Sequence, residues 1–130
     1  MKVKVRELGN MRAGINEIVT EKLPAKTAYW LFRFLNKLTS EINAFEKARI
    51  NLAIRHAKKD KNGKPLMEKD KDGKDINKYD ILDKIAFEKE YMELTNEEIE
   101  IDWEPIKLAD LGDVKLSILT LIKLGKIIKE

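Results

Sequence analysis

The sequence predicts a mainly α, α+β fold: a long antiparallel helical hairpin with a small head, in which a two-stranded β element packs among shorter helices. Three observations predict it. Ala25–His56 contains no proline or glycine, and its large apolar residues fall at Leu31, Leu35, Leu38, Ile42, Phe45 and Leu52. Those steps of four, three, four, three and seven form a heptad seam on a long helix. Residues 78–94 resume helical spacing with Ile81, Leu82, Ile85, Ala86, Tyr91 and Met92, after a polar stretch long enough for the chain to reverse. Residues 1–6 and 97–103 both alternate with period two and carry opposite charges.

In chain order, residues 1–6 place Val3 and Val5 on one face of a strand and Lys2, Lys4 and Arg6 on the other. Residues 8–23 read as a helix, with Leu8, Met11, Ile15 and Ile18 on one stripe and Pro24 as its end, because a residue before proline is pushed out of the helical region. Gly9 and Gly14 weaken its first half. The long helix follows. Its seam position 49 is Arg, and His56 takes the seam position four residues after Leu52. Residues 57–77 hold two turn signals, Asn62-Gly63 and Asp72-Gly73, so an exposed loop or a small hairpin fits. The Asp70-Lys71-Asp72-Gly73 run does not make a calcium loop. With Gly73 at the sixth position, the twelfth is Tyr79, where a bidentate Glu is required.

In residues 97–103, Ile99, Ile101 and Trp103 share a face opposite Glu98, Glu100 and Asp102, and this strand is expected to pair with the N-terminal one. Pro105 limits it, residues 106–113 connect, and Asp113 is placed to cap a last helix that runs to Ile128 and is apolar nearly all round. The chain thus reads as a single domain of 130 residues. The hairpin covers 25–94 with its polar tip at 57–77, and residues 1–24 and 95–130 form the head.

Composition narrows the function. Charged residues make up 38% of the chain, well above the usual share of about 25%. The balance of 26 basic against 23 acidic residues is interleaved, which argues against nucleic acid as the main partner. There is no cysteine, so disulfides, thiolate chemistry and cysteine-bound zinc are excluded. The first residues lack the apolar run of a signal peptide, and the Leu- and Ile-rich 114–128 is shorter than the roughly 20 residues a membrane span needs. No glycine-rich phosphate loop occurs, and the lone His56 has no partner spacing for a triad or a metal site. A non-enzymatic protein without cofactor or metal is expected, in an intracellular, cytoplasmic setting.

The residues that stand out are apolar. Tyr29, Trp30, Phe32 and Phe34 point in too many directions for one stripe. Core packing by two neighbours accounts for them, and a binding surface is the alternative. The candidate interface is Tyr29, Trp30, Phe34 and Trp103 in the head, with Leu121, Leu124 and Ile128 from the last helix.

Leu23-Pro24-Ala25-Lys26-Thr27-Ala28-Tyr29 opens a long helix; an Asp/Gly turn region, a second helix, an alternating Glu-Ile-Glu-Ile-Asp and a Leu-rich C-terminal helix follow. This order resembles small uncharacterised proteins of tailed phages and prophages of low-GC Gram-positive bacteria. The resemblance implies a phage context in a bacterial host and supplies no site residues. The expected function is a self-associating protein-protein interaction or assembly protein, with a homo-oligomer or another protein as partner. A counter-defence protein that inhibits a host immune enzyme or sequesters a nucleotide signal is the alternative. A nucleic-acid-binding accessory protein is a further one.

Overall fold

The computed structural model describes residues 1–130. It is an α+β chain: β1 (Lys2–Lys4), α1 (Leu8–Ile18), α2 (Ala25–His56), β2 (Met67–Lys69), β3 (Asp75–Tyr79), α3 (Lys84–Thr95), β4 (Glu98–Glu100), β5 (Ile106–Lys107), α4 (Ile118–Leu124) and β6 (Ile128–Lys129). The chain forms two compact units, one of Met1–Ala44 with Asn96–Glu130 and one of Phe45–Thr95.

In the first unit the expected strand pairing is present. Strands β1 and β4 run antiparallel with Lys2 opposite Glu100, Val3 opposite Ile99 and Lys4 opposite Glu98. Opposite charges therefore face each other at both ends, worth a few tenths of a kcal/mol per pair. The ladder extends past the strands, since the Ile101 N–H donates to the Met1 carbonyl and the Val5 N–H to the Glu97 carbonyl. Val3, Val5 and Ile101 are buried beneath it. Helix α1 buries Leu8, Met11, Ile15 and Ile18, the stripe that the spacing predicts.

Three boundaries differ from expectation. Helix α1 stops at Ile18, well short of Pro24. Its end is made locally: the Thr20 hydroxyl donates to the Glu17 carbonyl at 3.0 Å and the Glu21 N–H to the Ile18 carbonyl. The last helix is only seven residues long. Ser117, not Asp113, caps it by accepting from the Thr120 N–H at 3.0 Å, and Gly125, at φ +49°, breaks it. Ile128 is thereby in β6, which pairs in parallel with β5. The third helix begins at Lys84, because residues 75–79 are taken into a strand and Asp83 caps the start by accepting from the Ala86 N–H.

Along α2 the buried side chains of the first unit are Leu31, Phe34, Leu38 and Ile42, while Leu35 is half-buried. The steps are three, four and four, close to the straight-helix period of about 3.6 instead of the 3.5 of a supercoil. Phe34 displaces Leu35 from the seam because its large ring lies against Trp103. The buried Thr27 hydroxyl donates to the Asp110 carbonyl at 2.6 Å, tying the start of α2 to the turn at Leu108–Leu111.

The second unit joins the end of α2 to α3 as an antiparallel helical hairpin. Phe45 lies by Tyr91, and Phe87 lies between Tyr91 and His56. His56 Nε2 is 3.0 Å from Glu90, which also accepts from Arg55. These donors, His56 first, hold the Glu90 carboxyl below its ordinary range. Between the helices the polar tip is an antiparallel meander of β2 and β3, extended by isolated bridges of Ala57 to Ile81 and Lys59 to Pro65 and made by two turns of one design. In Asp60-Lys61-Asn62-Gly63-Lys64, the Asp60 carboxylate accepts from the N–H groups of Asn62 and Lys64. In Asp70-Lys71-Asp72-Gly73-Lys74, the Asp70 carboxylate accepts from those of Asp72 and Lys74. Gly63 and Gly73 supply the positive φ, +82° and +77°, that the fourth position of each turn needs.

Helices α1 and α4 pack closely at Gly14. A Cβ on Gly14 would lie 3.1 Å from the Leu124 side chain and 3.1 Å from its backbone nitrogen, which cannot swing away. At Gly9, on the same helix, nothing lies within 4 Å. Alanine is the better helix former at both positions, so packing decides the sign. We expect Gly14→Ala to destabilise the protein by about 1–2 kcal/mol, and Gly9→Ala to stabilise it by about 0.5 kcal/mol. Urea unfolding of the two variants measures both.

Candidate functional site

Two surfaces of the first unit gather the residues that the sequence singles out. The first is a groove of about 400 Å³ between α2 and the segment after β4. Helix α2 sets Trp30, Arg33 and Lys37 at steps of three and four, hence on one face. The β1–β4 ladder delivers the other wall, Asp102, Trp103 and Glu104, and Ile106 completes the lining. The Trp30 and Trp103 rings meet edge to face, with centroids 5.4 Å apart and planes at 61°. Phe34 packs on Trp103 at 5.4 Å from inside, and Tyr29 packs on Trp30 at 6.2 Å from outside.

Cations sit on these rings. The Arg33 guanidinium is 4.9 Å from the centre of Trp30 and 5.8 Å from those of Tyr29 and Trp103. The Lys37 ammonium is 5.9 Å from Trp103. Such contacts are worth about 0.5–1 kcal/mol each where exposed. They rest the guanidinium on the rings, and neither cation makes a hydrogen bond or ion pair within the chain. The Trp103 indole nitrogen is buried without a hydrogen-bond partner.

The second surface is the outer face of α4. Thr120 and Leu124 point inward. Ile118, Leu119, Leu121 and Ile122 remain 77%, 68%, 39% and 69% exposed. Polar contacts to α1 fix the helix: Glu17 accepts from the Thr120 hydroxyl at 2.6 Å and from the Lys123 ammonium. Lys123 above all, with Thr120, keeps the Glu17 carboxyl below its ordinary value.

The structure therefore divides the expected interface residues. Tyr29, Trp30 and Leu121 are exposed and Trp103 is half-buried. Phe34 and Leu124 are not surface residues. Both are completely buried, Phe34 behind Trp103 and Leu124 against Gly14. Ile128 is half-buried in β6. Sequence reasoning missed Arg33 and Lys37, although their spacing from Trp30 marks one helical stripe. It also missed Ile118, Leu119 and Ile122, because an all-round apolar helix does not reveal which side is covered. No group of three His, Asp or Glu side chains is placed to hold a metal ion, and no helix is long and apolar enough to cross a membrane. Compared with known proteins, the chain matches no family model, no curated protein and no solved structure.

The lowered Glu17 pKa gives a pH signature. A carboxyl whose folded pKa is depressed contributes stability that is present above its unfolded pKa, near 4.5, and lost as pH falls through the lower folded value. Glu17→Gln removes that contribution. Unfolding midpoints of the wild type and this variant should differ at neutral pH, with the variant less stable, and converge as pH falls below 4.5.

Proposed function

We propose that this protein acts by binding, without catalysis, and that it self-associates through the outer face of α4. The observation that carries this reading is the exposure of four adjacent apolar side chains, Ile118, Leu119, Leu121 and Ile122, on a helix held firmly from its other side. A cluster of branched apolar groups in water is costly, and covering one Ile or Leu is worth about 1.5–3 kcal/mol. A second copy is the occupant that its charge favours. The one cation on the helix, Lys123, is already neutralised by Glu17, so two such faces meet without like-charge repulsion, as a two-fold contact requires. The Leu23 to Tyr29 helix entry and the element order support a phage or prophage origin as part of the same proposal, with assembly in a bacterial host as its setting.

Sedimentation equilibrium over a wide concentration range tests this reading. The wild type should associate reversibly. The double variant Ile118→Asp, Ile122→Asp should weaken association by about 100-fold or more while keeping its helical circular dichroism, since both residues are exposed. A wild type that stays monomeric at every concentration, or a double variant that associates as well as the wild type, would overturn it.

A further inference from the structure

We propose that the groove between α2 and residues 102–104 binds a nucleotide unit with an amino-bearing base: the base lies on the Trp30 and Arg33 shelf, and the phosphate on Arg33 and Lys37. This site is separate from the self-association face of α4 and rests on different residues. Three features of the groove match three parts of the ligand. The shelf matches the base. Trp30 is 38% exposed, and the guanidinium over it adds a second flat stacking surface. The two cations match the phosphate. Arg33 is fixed by three rings yet has all its donors unspent, so an oxyanion meets a preorganised fork with no ion pair to break. Lys37 adds a second positive charge one turn along the helix. The carboxylates match the base edge. Asp102 and Glu104, on the opposite wall, can accept from the exocyclic amino group of guanine, adenine or cytosine, which uracil lacks.

The balance of charges also selects the size of the ligand. Two cations on one wall and two carboxylates on the other suit a molecule with one anionic end and one hydrogen-bond-donating end. A long polyanion instead favours an unbroken positive track. The volume of about 400 Å³ lies within the roughly 300–1,000 Å³ of small-molecule sites.

Trp30 and Trp103 are the only two tryptophans in the chain, so its indole fluorescence reports on this groove alone. The full chain is titrated with GMP, CMP, UMP, guanosine, inorganic phosphate and a short single-stranded oligonucleotide. GMP or CMP should give a saturable change. UMP, guanosine and phosphate should each bind more weakly. Arg33→Ala should weaken nucleotide binding about tenfold or more with unchanged circular dichroism, as Arg33 is exposed. Tighter, strongly salt-dependent binding of the oligonucleotide, with the same loss in Arg33→Ala, would assign the nucleotide unit to a strand instead of a free nucleotide. No saturable change with any nucleotide, equal binding of inorganic phosphate and GMP, or an Arg33→Ala titration matching the wild type would overturn the proposal. Self-association through α4 is measured independently by sedimentation, so the two readings stand or fall apart.

Discussion

The antiparallel pairing of Lys2–Lys4 with Glu98–Glu100 is the constraint on which the first unit depends. It joins residues almost a hundred positions apart. The segment leaving β4 carries Ile101 into the core and Trp103 onto Phe34 and Trp30. The groove has its second wall because of that placement. At its other end the same ladder leads through Val5 into α1, whose buried stripe and Gly14 receive Leu124 of α4. Both candidate surfaces are thus consequences of one short ribbon. Its hydrogen bonds are modest singly, and it lasts because Val3, Val5 and Ile101 are buried with it.

Burial is divided unevenly between the two units. The first holds Leu8, Ile15, Ile18, Leu31, Phe34, Leu38, Leu111, Leu124 and Ile127 at or near zero exposure. The second buries only Leu52, Ala53 and Ala57 among its apolar residues and exposes Leu82, Ile85 and Met92 along its returning segment. Its order comes instead from aromatic contacts of Phe45, Phe87 and Tyr91, from the Glu90 hydrogen bonds, and from carboxylate-capped turns. Such a unit opens at lower free energy than the first.

Much of this fold is legible in the sequence, and the parts that are not have physical reasons. The period-two strands, the stripe of α1 and the uninterrupted α2 are patterns repeated over several residues, so local spacing specifies them. Helix ends are set by single groups. The Thr20 hydroxyl, the Ser117 cap and the left-handed Gly125 each decide a boundary that apolar spacing continues straight through. The parallel β5–β6 pair has only two residues per strand, too few to show a period. In the candidate site, the aromatic residues were visible as types, while their exposure was not. Whether Phe34 or Trp30 faces water depends on where Trp103 lands, and only the distant strand pairing determines that. Arg33 and Lys37 were hidden for a different reason: in a chain so rich in charge, a cation resting on a ring looks like any solvated one.

The matched turns Asp60–Lys64 and Asp70–Lys74 bear on the order in which the molecule can assemble. Each closes over five residues with bonds from its own carboxylate, so the meander needs nothing from either terminus. The cost of closing a loop rises with its length, and the ribbon of the first unit closes a far longer loop than either turn. As the chain leaves the ribosome, the meander has all its residues well before Ile101 appears. During that interval Val3 and Val5 remain an unpaired, half-apolar strand, while the Lys2, Lys4 and Arg6 beside them discourage premature pairing with other copies. The alternating basic residues of β1 thereby guard the nascent chain before they face Glu98 and Glu100 in the finished one.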